Sequence, residues 1–103
     1  MGIFWISFRI EVGGTGDERQ YALTKAIHGY KLRYWDRTPN FILFESGHTL
    51  DFLVHALRGK IDPARDLFLI GEIGSANVRL CGANTDADIL KMLPHCLEPA
   101  ARA

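Results

Sequence analysis

Between Ile3 and Val12 the chain alternates. Phe4, Ile6, Phe8, Ile10 and Val12 share one face; Ile3, Trp5, Ser7, Arg9 and Glu11 share the other. A period of two with one wholly apolar face predicts a strand that lays one side on a core. The pattern breaks at Gly13-Gly14-Thr15-Gly16. Beyond it Ala22, Leu23, Ala26, Ile27 and Tyr30 recur at helical spacing. Asp17 and Glu18 fall in the first turn, where the helix dipole favours carboxylates, and Gly29 marks the expected end. KLRYWD (31–36) and FILFES (41–46) read as two strands of a hairpin, joined by the loop Arg37-Thr38-Pro39-Asn40.

Thr49 is placed to cap a second helix. Leu50, Leu53, Val54 and Leu57 give that helix the clearest apolar stripe in the chain, and Gly59 stops it. Asp62-Pro63 forms a turn, and DLFLIGEI (66–73) is a near-continuous apolar run, hence a buried strand. Gly74-Ser75 turns the chain into a short last strand, Val78-Arg79-Leu80-Cys81. Thr85-x-x-Asp88 resembles a capping box that opens a short helix bearing Ile89, Met92 and Leu93, with Pro94 at its end. The Ala-rich tail, residues 98–103, reads as frayed.

The order is β-α-β-β-α-β with an extra strand and helix. It predicts an α+β fold: a ferredoxin-like antiparallel sheet with two helices on one face, plus a short fifth strand and a C-terminal helix. With 103 residues the chain has room for one core, so residues 1–97 are read as a single domain. A hydrophobic fraction of 48% argues against disorder. Twelve Lys+Arg balance twelve Asp+Glu. That neutrality lowers the expectation of nucleic-acid binding and weakens the repulsion that keeps copies apart. Cys81 and Cys96 show no CxxC spacing and read as apolar fillers in a reducing cytoplasm. The apolar opening lacks a basic flank and a cleavage site, and it is too short to span a bilayer, so a cytoplasmic protein away from membranes is expected.

Several stretches resemble a known group. Trp5-Ile6-Ser7-Phe8-Arg9-Ile10 is similar to the opening strand of SinR-like small bacterial proteins, relatives of the dimeric CRISPR-associated adaptation protein and of VapD-type ribonucleases. The similarity continues through Ala22-Leu23-Thr24-Lys25-Ala26-Ile27, Tyr34-Trp35, Phe41-Ile42-Leu43, and from Thr49 through Ile61-Asp62-Pro63 to Asp66-Leu67. It covers about residues 3 to 82, mostly at packing positions, and so speaks for fold more than activity. Nucleases of this group keep an Asp after the aromatic residue at the end of the first strand, and two such Asp side chains in a dimer hold a metal. Here Arg9 follows Phe8, and a guanidinium repels a metal ion. The resemblance also implies a homodimer in which the segment Val78, Arg79, Leu80, Cys81 reaches the partner as an added strand.

The candidate sites follow. The glycine turn meets neither the P-loop nor the dinucleotide spacing, and Asp17 and Glu18 stand where a phosphate would bind. It is expected to be a flexible connection. His28, His48, His55 and His95 show no metal-ligand spacing, and Ser46, His48 and Asp51 lack a nucleophile elbow. Arg9 is expected to pair with Glu11. Trp5 and Arg9 beside Arg33, Trp35 and Arg37 suit a protein interface on the open sheet face, or a grip on single-stranded nucleic acid. The sequence therefore reads as a non-enzymatic homodimeric binding or scaffold module without metal or cofactor. One alternative is a metal-dependent endonuclease of RNA or DNA using Glu11 and Asp17. Another is an antitoxin-like nucleic-acid-binding protein using Arg9, Arg33 and Trp35.

Overall fold

Alternation in the first strand is realised over β1 (Gly2–Arg9), but it stops short of Val12, which is 94% exposed. The strand ends early because the Glu11 N–H is drawn to the Asp66 carboxylate at 3.0 Å. Gly13 and Gly14 then turn the chain at φ of 98° and 55°, a region that favours glycine. The computed structural model describes residues 2–74 and 77–96. The expected frayed tail, 98–103, lies outside the described residues, as does the Ser75 half of the Gly74-Ser75 turn.

The remaining elements are α1 (Gly16–Tyr30), β2 (Arg33–Trp35), β3 (Phe41–Ser46), α2 (Leu50–Arg58), β4 (Leu67–Glu72), β5 (Val78–Gly82) and α3 (Asp88–Met92). Among the described residues they make a mixed α+β fold: a five-stranded antiparallel sheet in the order β2-β3-β1-β4-β5, with three helices. The expected fifth strand joins the same sheet, beside β4 of its own chain.

The core lies between one face of the sheet and two helices. Phe4, Ile6 and Phe8 from β1, Ile42 and Phe44 from β3, and Phe68 and Ile70 from β4 meet Leu23 and Ile27 of α1 and the whole stripe of α2. Leu50, Leu53, Val54 and Leu57 are all buried, as their spacing predicts. Full burial of each such side chain stabilises the fold by about 1.5–3 kcal/mol. Thr49 caps α2 as predicted: its hydroxyl oxygen accepts the Phe52 N–H at 3.1 Å.

Other boundaries move. β2 has three residues rather than six, and Arg37 falls in the 36–40 loop beyond it. Asn40 sits there at φ 56°, a conformation that asparagine tolerates. The Thr85 capping box does not form. Helix α3 begins at Asp88, and the Asp86 carboxylate accepts the Asp88 N–H at 2.9 Å, so a local Asp turn takes the cap's place. Met92, expected to be packed, is 72% exposed. The C-terminal segment returns to β5, where the Cys96 carbonyl accepts the Leu80 N–H. Leu80 and Cys96 are both buried there, apart from the central cluster. Cys81 and Cys96 are buried and unbridged. Among the described residues no helix is long and apolar enough to cross a membrane.

Candidate functional site

The second face of the sheet follows from register. Residues opposite one another on paired strands point the same way. Trp35, Leu43, Trp5, Gly71 and Val78 therefore form one row across all five strands. Arg33, Glu45 and Ile3 form the row on one side of it; Phe41, Ser7, Leu69 and Leu80 form the row on the other. Arg9, Leu67 and Gly82 lie one row further.

The fold thus brings Trp5 and Trp35 onto one row, with Leu43 between them, and places Arg33 alongside. Of the two strands expected beside strand one, the third is its neighbour and the second is not; β1 lies between β3 and β4. Arg9 stands at the far end of β1 and Arg37 is off the strands altogether, so these two do not join the aromatic row. The segment proposed from sequence as a partner strand is split by alternation. Val78 and Leu80 face the open side; Arg79 and Cys81 face the helices.

The charge on this face is spent locally. Arg33 grips Glu45 in a fork, Nε to Oε1 at 3.1 Å and Nη2 to Oε2 at 3.3 Å. Trp5 lies against the backbone of Gly71. A Cβ built at Gly71 would come within 2.9 Å of the indole, so only glycine leaves room for the ring. The centre of the face is apolar, and the Arg33–Glu45 pair at its margin carries no net charge.

Arg9 and Glu11 do not pair. Arg9 Nη2 donates to the carbonyls of Ala83 at 3.3 Å and Arg65 at 3.5 Å. The Glu11 carboxylate is bound instead by Arg65, at 3.1 Å. Backbone bending after Ile10 separates the two side chains that an extended strand would have set on one face. Asp17 stays exposed in the first turn of α1. Among the described residues no three His, Cys, Asp or Glu side chains gather around a common point, so a metal between Glu11 and Asp17 would need further ligands.

The sequence reading missed the residue at the centre of this corner. Asp66 is fully buried and its carboxylate accepts four hydrogen bonds. Oδ2 takes Arg19 Nε at 2.7 Å and the Asp62 N–H at 2.8 Å; Oδ1 takes the Glu11 N–H at 3.0 Å and Arg19 Nη2 at 3.2 Å. Those four fill its lone-pair sites, leaving none for a substrate. Burial alone would raise its pKa. The Arg19 hydrogen bond, the Asp62 and Glu11 amides and the Arg19 charge outweigh burial and hold the carboxyl below its ordinary range.

The glycine turn serves this clasp. Gly16 packs against the Glu11 carbonyl so closely that a Cβ would collide with it, and Arg19 also reaches the Thr15 hydroxyl. The Gly16 end of the turn is packed, while Gly13, Gly14 and Thr15 are exposed. One signal in the sequence marked Asp66: a lone carboxylate at the head of an apolar strand.

Ser46 and His48 are also accounted for. Ser46 is buried, donates to the Tyr30 carbonyl at 2.8 Å and accepts the His48 N–H. The His48 ring stacks on Phe52 with centroids 4.2 Å apart. Comparison with protein-family models, with curated proteins and with solved structures finds no match to this chain.

Proposed function

We propose that this chain is a non-enzymatic homodimeric binding or scaffold module that self-associates through its open sheet face. The observation that carries the reading is the row Trp35–Leu43–Trp5–Gly71, apolar and on the face opposite α1 and α2. A second copy suits this surface. Its centre is apolar and its Arg33–Glu45 pair is neutral, so two copies meet about a two-fold axis without like charges opposed. Aromatic residues flanked by arginine are the composition of interface centres.

The reading includes a ferredoxin-like ancestry for the first six elements. The strand order β2-β3-β1-β4 with two packed helices supports it, β5 being an addition at the edge. It also includes kinship with the SinR-like group, supported by the sequence stretches quoted above; Arg9 in place of a metal-binding aspartate supports the non-enzymatic part of the reading. Sedimentation equilibrium of the purified chain is expected to give twice 11.6 kDa, and Trp5→Glu to give the single-chain mass with an unchanged circular dichroism spectrum. A wild-type monomer at tens of micromolar would sink the dimer.

A second reading, nucleic-acid binding, has one observation in its favour. Between Glu18 and Asp36 the chain carries no carboxylate. In that stretch Lys25 lies 5.8 Å from the Tyr21 ring centroid and Lys31 lies 5.1 Å from that of Tyr34. Lysines interleaved with exposed rings can hold phosphate and stack bases. On this reading a fluorescent single-stranded oligonucleotide is retained at 20 mM salt and released steeply by 200 mM, and Lys25→Glu with Lys31→Glu abolishes retention. Retention unaffected by those changes would refute it.

A further inference from the structure

On the helix-bearing side of the sheet, away from the face assigned to self-association, β1 begins, β4 ends and β5 begins around a cleft of about 370 Å³. The segment Gly47–Asp51 also lines it. The charged residues on its walls are Arg79, Glu72 and Asp51, with His48 and Asn77 beside them.

Register puts Arg79 and Glu72 together. Arg79 opposes Ile70, and Glu72 follows two residues later on the same face of β4. Glu72 opposes Phe4, and its carboxylate lies against the backbone of Gly2; a Cβ at Gly2 would stand 2.5 Å from Glu72 Oε2. Arg79 spends Nη1 on the carbonyl of Val78, at 3.0 Å. Its Nε is completely buried and, among the described residues, has no acceptor. That N–H is cut off from solvent and is not open to a ligand in the cleft; the Nη2 end of the guanidinium is the part left for one.

The cleft therefore offers a cation with an unspent donor and two carboxylates within one small volume. A simple anion would meet Glu72 and Asp51 with repulsion, and a simple cation would meet Arg79. A ligand bearing both signs a few ångströms apart satisfies all three. We propose that this cleft binds a free α-amino acid as its zwitterion, with its carboxylate on the Arg79 guanidinium and its ammonium between Glu72 and Asp51. Planar guanidinium and carboxylate groups match in a two-point contact, which fixes the ligand's orientation. His48, whose imidazole stacks on Phe52, also lines the cleft.

The test is calorimetric titration of the full chain with the twenty free amino acids, with sodium acetate and methylammonium chloride as single-charge controls. At least one amino acid is expected to bind, and both controls to bind at least tenfold more weakly. Arg79→Gln and Glu72→Gln are each expected to weaken binding tenfold or more, and Arg79→Lys to weaken it less than Arg79→Gln. A thermal melt without ligand identifies any variant that fails to fold; for such a variant the Asp51→Asn exchange takes its place and carries the same expectation. No binding by any amino acid overturns the proposal. So does acetate binding as tightly as the amino acids, or binding that survives these substitutions. The dimer reading is untouched by either result, because its readout is mass.

Discussion

Replacing Asp66 with Asn is expected to cost the folded chain about 3 kcal/mol in a urea titration. The amide offers one acceptor oxygen where the carboxylate offers two, and it turns an N–H₂ toward donors. Arg19, whose side chain is 12% exposed, then keeps its charge without a counter-ion. Glu11→Gln is the control. It breaks an exposed pair with Arg65 and should shift stability by no more than about 0.5 kcal/mol. The same carboxylate sets the acid limit. Its pKa is depressed in the folded chain, so the unfolded chain takes up the proton first as pH falls, near the ordinary Asp value of about 3.9. The stabilisation is complete above that value and is lost as pH falls through the lower folded-state pKa. The urea midpoint of the wild type should fall more steeply below about pH 4 than that of Asp66→Asn. Parallel curves would show that Asp66 contributes nothing.

Gly82→Ala is the second large effect expected. Gly82 holds φ at +113°, where an L side chain is strained by about 1–3 kcal/mol on its own. Its Cβ would also collide with the Asp66 carbonyl and stand 2.8 Å from Leu67 Cα. That carbonyl accepts the Ala83 N–H at 2.8 Å, and the Ala83 carbonyl in turn accepts from Arg9. The added methyl therefore strains the backbone and pries at the clasp together. The thermal midpoint should fall by more than 10 °C, at roughly 4–8 °C per kcal/mol for a domain of this size. A drop under 4 °C would mean that the β4–β5 end relaxes freely.

What the sequence discloses depends on the range of the interaction. The α2 stripe and its Thr49 cap are local, and each is readable within one or two turns. The alternation of β1 is local too, but its end is not. Val12 continues the pattern perfectly and is exposed, because a residue 55 positions from Glu11 claims that amide. The Asp66–Arg19 pair spans 47 positions and leaves no periodic trace. The aromatic row lies between these cases. Trp5 and Trp35 are each visible as open-face residues, but their alignment needs the register through Leu43. The Arg79 cleft needs the β4–β5 register and the placement of α2 over it, and neither has a local signature.

The two edges of the sheet have a colloidal consequence. β2 offers only three residues to a passing strand, and on β5 the Leu80 N–H is already taken by Cys96. A net charge of zero gives the molecules no mutual repulsion, so edge geometry must supply what charge does not. A short edge and a partly occupied one offer a poor template for strand upon strand, so this neutral chain with an apolar face is expected to resist edge-to-edge growth.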